Sequence, residues 1–242
     1  MDHRYVVRFA RDDPETPPTR DEQLALARQA ARKLGIPNAE SQPTYRVGRN
    51  SNTVDDRLAG LWTLAATSGA RRGELLGARW SDLDLDADPP TLTIRQTLLN
   101  YGKLTVIKEP KTERSRRVIP LPARTVAALR SHRKAQAAER LAAGAAYTDN
   151  GLVFTDEIGR PLAPPAITAA FRRIVRDEGL PPLTLHGLRH TWASVALDEG
   201  VDVLYVAELL GHSSPAITQS IYQHARPERT VESVERVSAA FS

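Results

Sequence analysis

Apolar residues recur at three- and four-residue spacing along most of this chain and alternate in one short region only. Asp21 starts a helix in which Leu24, Ala27, Ala31 and Leu34 share a face. The polar stretch 35–52, with Pro37 and Pro43, reads as a loop between that helix and the next. Val54, Leu58, Leu61, Trp62 and Ala65 mark one side of the second helix, which ends at Ser68-Gly69, and the run GELLGARW gives a short third. Leu92, Ile94 and Leu98 then fall on one parity, interrupted by Gln96, and Leu104 and Val106 alternate. RRVIPL completes the strand candidates, and Asn100-Tyr101-Gly102 has the chemistry of a hairpin turn. Beyond Pro122 the pattern is helical again: an Ala-rich helix to about Ala143, then helices near 164–178, 187–198, 202–210 and 214–222, with one short GLVF strand between. Ser214-Pro215 reads as an N-cap followed by proline at the first helical position. Residues 1–20 are expected to form an irregular arm, with a short strand at Tyr5–Phe9. The predicted fold class is α+β, mainly helical with a small antiparallel β-sheet.

Composition narrows the function classes. The 242 residues are 41% hydrophobic and 26% charged, which fits a globular chain with a substantial core. No cysteine is present, so disulfides, thiolate metal sites and cysteine nucleophiles are excluded. The apolar run from Leu58 to Ala66 is shorter than the roughly 20 residues that cross a bilayer, and MDHRYVVRFARDD is charged throughout. No leader and no membrane partner are expected, and the chain is expected in the cytoplasm. Five of the 33 cationic residues are lysines, leaving 28 arginines against 29 acidic residues. Arginine's planar fork suits phosphate, although a GC-rich genome produces the same bias.

Four of the six histidines, His186, His190, His212 and His224, lie in the last 57 residues. Zinc is one reading, since His186 and His190 are one helical turn apart, but the pair lacks the internal glutamate of HExxH and no carboxylate stands near His212. A second reading makes each histidine a packing or surface residue, and for His190 and His224 this is preferred. The third is phosphoryl chemistry: HGLRH places His186 and Arg189 on one side of a helix, and LGHSS places His212 just before a helix start, where backbone N–H groups favour an anion. Tyr222 follows ten residues later, Arg71 stands at a helix entry after Ser68-Gly69, and Lys111 lies in the KEPKTERSRRVIPL segment.

Together the segments ATSGARRGELLGARWSDLDLD, KEPKTERSRRVIPL, LTLHGLRHTWASVALDEGVD and VAELLGHSSPAITQSIYQHA resemble, in order and spacing, the catalytic domain of the tyrosine recombinases, the phage integrase family. The resemblance runs from about residue 54 to 225. It implies that Arg71 is the first catalytic arginine, with Glu74 as its acidic companion. His186 and Arg189 form the H-x-x-R pair, His212 is the second histidine and Tyr222 the nucleophile. The mobile hairpin lysine is best matched by Lys111, with Lys108 and Lys103 weaker. Arg72 is read as a solvated helix charge, and Tyr5, Tyr45, Tyr101, Tyr147 and Tyr205 as packing or surface aromatics.

The residue types suit the reaction independently of the family. A phosphodiester repels nucleophiles, and attack adds charge to its non-bridging oxygens, which two arginines stabilise most in the transition state. Histidines supply donors or move protons at neutral pH. A tyrosine, with pKa near 10, must lose its proton during attack or sit beside positive charge. The departing 5′ oxygen needs a proton, a task that suits Lys111. The expected product is a 3′-phosphotyrosyl DNA with a free 5′-hydroxyl, made without metal, ATP or another cofactor.

The resemblance further implies double-stranded DNA as partner, a homotetramer on synapsed DNA, and a bacterial, nucleoid-associated setting; the isolated chain is expected to be a monomer. The catalytic domain is placed at 21–225, with 35–52 as an insertion loop. Residues 226–242 form a C-terminal helix whose Val231, Val234 and Val237 pack on a neighbouring protomer or on their own domain. The N-terminal core-binding domain of the family is expected to be absent. Three other functions stay open at this point: an inactive DNA-binding relic or regulator, a type IB topoisomerase-like relaxing enzyme, and an unrelated hydrolase using the histidine pair with a metal.

Overall fold

Helix α1, Ala59–Ser68, is the element around which the others gather. The sequence predicts a one-sided helix, yet eight of its ten residues are buried, including Thr63, Thr67 and Ser68. Burial all round is tolerated because those three hydroxyls return to carbonyls one turn back, at 2.9, 2.8 and 2.6 Å, although the buried Trp62 indole N–H has no hydrogen-bond partner. The computed structural model from which this is taken describes residues 57–101, 104–108, 116–180 and 182–212. The expected arm 1–20, the helix from Asp21, the loop 35–52 and the helices beyond residue 213 lie outside the described residues.

After α1 come α2 (Arg72–Gly77) and a 3-10 turn (Trp80–Asp82), then the strands β1 (Leu83–Asp84), β2 (Thr91–Ile94), β3 (Thr97–Tyr101), β4 (Leu104–Lys108) and β5 (Arg117–Pro120). Four further helices follow: α3 (Ala123–Ala143), α4 (Pro164–Asp177), α5 (Leu185–Asp198) and α6 (Val203–Leu210). The α+β expectation holds, with two small antiparallel sheets where one was predicted: β1-β2-β5 and β3-β4. Leu92 and Ile94 belong to the first sheet and Leu98 to the second. The chain changes sheet at Gln96, whose side-chain amide donates to the Gly77 carbonyl, so Gln96 is a junction and not a flaw in one strand. Register also differs from expectation in β4. Ile107, opposite buried Leu98, packs on the core, whereas the sequence favoured the parity of Leu104 and Val106.

Other local readings are corrected by packing. The helix predicted through GELLGARW stops at Gly77, and the GLVF segment forms no strand. Leu152 makes an isolated bridge to Arg79, while Val153 donates to the Ala78 carbonyl at 2.9 Å. Asn100 and Tyr101 lie in β3, so the hairpin connection falls at 102–103. On α3, His132 and Gln136 face inward among Val126 and Leu129, and Gln136 accepts from the Trp80 indole at 2.7 Å.

One contact fixes where the site begins. A Cβ on Gly73 would lie 2.5 Å from Thr97 Oγ1 and 2.8 Å from the Leu98 carbonyl, so α2 rests directly on the backbone of β3. Thr184 caps α5 through the Gly187 amide at 2.9 Å, and Asp202 caps α6 through the Leu204 amide at 2.8 Å. The larger core joins α1, α2, the strands, α3 and α4, and a smaller one, built from Ala193, Leu197, Val206 and Leu210, lies between α5 and α6. Among the described residues no helix is long and apolar enough to cross a membrane.

Candidate active site

Arg71 caps α2 from an extended backbone conformation. Its own amide donates to Glu74 Oε2 at 2.7 Å and its Nη1 to Oε1 at 2.9 Å, while the opposite side of the same carboxylate receives Arg117 at 2.7 and 3.1 Å. Burial alone would push the Glu74 carboxyl up. The hydrogen bond and charge of Arg117, with those of Arg71, prevail and hold it below its ordinary value. Glu74 therefore stays ionised and keeps both guanidinium groups in place.

The same arginines converge on the end of α6. A helix C-terminus carries carbonyls without intrahelical partners and a partial negative charge. Here Leu209 O accepts from Arg117 Nε at 2.6 Å, Leu210 O from Arg189 Nη2 at 2.6 Å, and Gly211 O from Arg71 Nη2 at 2.9 Å. Three consecutive carbonyls thus take one arginine each, from β5, α5 and the start of α2. Gly211 turns the chain with φ +65°, and a Cβ there would lie 2.8 Å from the Arg117 guanidinium. His212 is the next residue. Arg189 also donates from Nη1 to the Gly69 carbonyl at 2.7 Å, tying the end of α1 to the end of α6. Burial, then the charge of Arg71, pushes Arg189 down to about 9, so it remains cationic at neutral pH.

Arg71, Gly73, Arg72, His186 and Arg189 line one cleft of about 370 Å³, together with Thr168 and Arg172 of α4. Of the residues singled out in the sequence, the fold brings Arg71, Glu74, His186, Arg189 and His212 together. Lys111 belongs to the connection between β4 and β5, and Tyr222 lies ten residues past His212; both fall outside the described residues. Two residues set aside in the sequence also belong to the surroundings of the cleft. Arg72, an exposed helix charge as expected, lines it and donates to Thr168 Oγ1. His190, read as a packing or surface residue, has its Nε2 2.9 Å from His186 Nε2, with the rings edge to face at 4.4 Å. Arg117 was missed altogether. It is 5% exposed, and the sequence shows it only as one arginine among three in ERSRR. A cationic residue at an inward-facing strand position, alternating with Ile119, was the available signal.

Burial first, and then the excess of positive charge, sets the histidines. Burial, then Arg189 and Arg71, brings His212 down to about 4; burial, then His186 and Arg189, does the same to His190. His186 is exposed on one side, and the shielding of the rest, followed by Arg189 and Arg71, holds it below 6.5. Burial lowers His132 as well. An unfolded chain takes up these protons near 6.5 and the folded one only well below it. The contribution to stability is therefore complete above about pH 6.5 and is lost as pH falls towards 4; Glu74 adds its own loss only below 4.5. Thermal melts at pH 7.5 and pH 5.0 are expected to show a lower midpoint at pH 5.0, and equal midpoints would refute this assignment.

Relatives share this arrangement of sequence and fold. The chain is 34% identical over 195 residues to a XerC-like tyrosine recombinase of Caldanaerobacter subterraneus subsp. tengcongensis, covering 76% of this chain and 50% of that protein. It is 33% identical over 170 residues to an integrase of Streptomyces ambofaciens, covering 66% and 42%. The chain thus spans about half the length of the curated relatives it matches. Among solved structures, the Tn1549 transposon integrase in complex with transposon right end DNA has a TM-score of 0.68 at 21% identity, covering 93% of this chain and 67% of that one. The XerA recombinase has a TM-score of 0.59 at 24% identity, covering 93% and 66%. Both likenesses establish the fold. The match to the phage integrase family runs over residues 42–229, through every element that builds the cleft, and the chain belongs to that family, with the fold of a tyrosine recombinase catalytic domain.

Proposed function

We propose that this chain is the DNA-cleaving and -rejoining part of a tyrosine-type site-specific recombinase. The observation that carries the reading is the convergence of Arg71, Arg189 and His186 on one cleft, with His212 held beside them by the end of α6. A cleft with two guanidinium groups and neutral imidazoles is suited to a phosphodiester, whose non-bridging oxygens gain charge as attack proceeds. Tyr222 Oη forms a bond to phosphorus, and the bond from phosphorus to the 5′ oxygen breaks. The phenolic proton leaves towards the histidines, and Lys111 gives a proton to the departing 5′ oxygen. The 3′-phosphotyrosyl link keeps the energy of the broken bond, so a 5′-hydroxyl can reverse the attack onto a new strand. Every proton and electron pair in this scheme is supplied by the chain or the DNA, with no cofactor.

Double-stranded DNA is the proposed partner, supported by the DNA complexes of the Tn1549 integrase and of the XerH recombinase bound to difH substrate. Exchange between two duplexes requires a homotetramer on synapsed DNA, working on chromosomal DNA in a bacterial cytoplasm. The test is covalent trapping: protein and plasmid bearing its native flanking sequence are incubated in EDTA, then denatured. Protein-linked DNA is expected for the wild type and not for Tyr222→Phe. An adduct that survives in Tyr222→Phe, or that forms only with a divalent metal, overturns the reading.

A further inference from the structure

The contact between His186 and His190 has a consequence for which proton His186 can offer. Two ring nitrogens 2.9 Å apart share one proton, so one ring donates and the other accepts. A neutral imidazole has a single N–H, and the bond made by one nitrogen decides whether the other is donor or acceptor. We propose that His190 is a positioning residue: its Nε2–H donates to His186 Nε2, which fixes His186 as the Nδ1–H tautomer and leaves that N–H as its donor to an anion in the cleft.

Three observations set this direction. His186 lines the cleft and His190 does not, so only His186 meets the ligand directly. A phosphodiester oxygen accepts and never donates, which makes a donor at His186 useful and a bare lone pair repulsive. The less basic ring is the better donor in such a pair, and His190, pushed down to about 4 by burial and then by His186 and Arg189, is a weak base. The titratable and charged groups around the pair are Arg189 on α5 itself, Arg71 at the start of α2 and the neutral His212 beyond α6. The two guanidinium groups disfavour an imidazolium. His190 holds His186 in the donating tautomer while both rings remain neutral; an unassisted neutral histidine is free to carry its proton on Nε2, which leaves a bare lone pair at Nδ1, and this field opposes a second proton.

The structural half of the inference stands on the free protein, and the catalytic half rests on the recombinase reading above. Nitrogen-15 NMR of the free wild-type chain at pH 7.5 is expected to show His186 as the Nδ1–H tautomer. In His190→Phe, which keeps a ring and removes the donor, it should move to Nε2–H. Adduct formation should then fall about tenfold at pH 7.5, the scale of one lost hydrogen bond. It should also recover in part as pH is lowered from 7.5 and His186 gains a proton, a gain the wild type does not show. His190→Gln, whose amide can donate to the same nitrogen, should restore most of the rate. An Nε2–H tautomer for His186 in the wild type, or a pH profile unchanged in His190→Phe, overturns the proposal. A wild type that forms no adduct at any pH refutes the recombinase reading and leaves the tautomer result to decide His190 alone.

Discussion

Arg117→Ala is expected to lower stability by about 3–5 kcal/mol, the range for removing one partner of a buried ion pair. The side chain is 3% exposed and makes three bonds, to both oxygens of Glu74 and to the Leu209 carbonyl. Alanine leaves Glu74 buried with Arg71 as its remaining guanidinium and strips the first of the three carbonyls at the end of α6. Lysine should recover only part, because a single ammonium cannot serve the carboxylate and the carbonyl in the same planar geometry. Urea unfolding at pH 7.5 measures both variants against the wild type. A loss below about 1 kcal/mol for Arg117→Ala would mean that the pair contributes no more than an exposed one, and the view of Arg117 as the hub of the site would fall.

Arg189→Lys is expected to reduce the rate of adduct formation about 10²–10³-fold, the cost of losing one preorganised donor to the reacting anion. The guanidinium spans the Gly69 and Leu210 carbonyls with one nitrogen each, at 2.7 and 2.6 Å, and so presents its remaining N–H groups to the cleft from a fixed position. An ammonium retains the charge without that span. Single-turnover trapping at saturating DNA separates the two contributions. If the variant binds DNA less tightly but reacts at the wild-type rate once saturated, Arg189 acts in binding alone and its transition-state role is refuted.

The arginine-to-carbonyl pattern also explains why a glycine and a histidine follow α6 directly. Gly211 must adopt a left-handed backbone and leave room for the Arg117 guanidinium, which no residue with a Cβ does. His212 is thereby set by three arginines at once. Its position depends on β5, α5 and α2 remaining docked together, and both substitutions above should disturb it.

Local pattern was sufficient for much of this molecule. Spacing of apolar residues located α3, α4, α5 and α6 to within a few residues, because helical periodicity and end signals are written in consecutive positions. Four ordered motifs placed Arg71, Glu74, His186, Arg189 and His212 on the list that the cleft assembles. Tertiary structure decided the rest. Arg117 acquires its meaning from Glu74, 43 residues away, and from Leu209, 92 residues away. Neither partner leaves a trace in the residues beside it. Burial of α1 on all sides, the division of Leu92, Ile94 and Leu98 between two sheets, and the parity of β4 follow from which elements dock on which face. The pair His186–His190 was visible as a spacing of four, but a spacing fixes only proximity. Burial, followed by the charge of Arg189 on the same helix and, at His186, of Arg71 from the start of α2, is what keeps both rings neutral and gives their contact a direction. Sequence determined which groups this protein has to offer; packing over long separations determined what each one faces, since electrostatics and burial depend on neighbours in space.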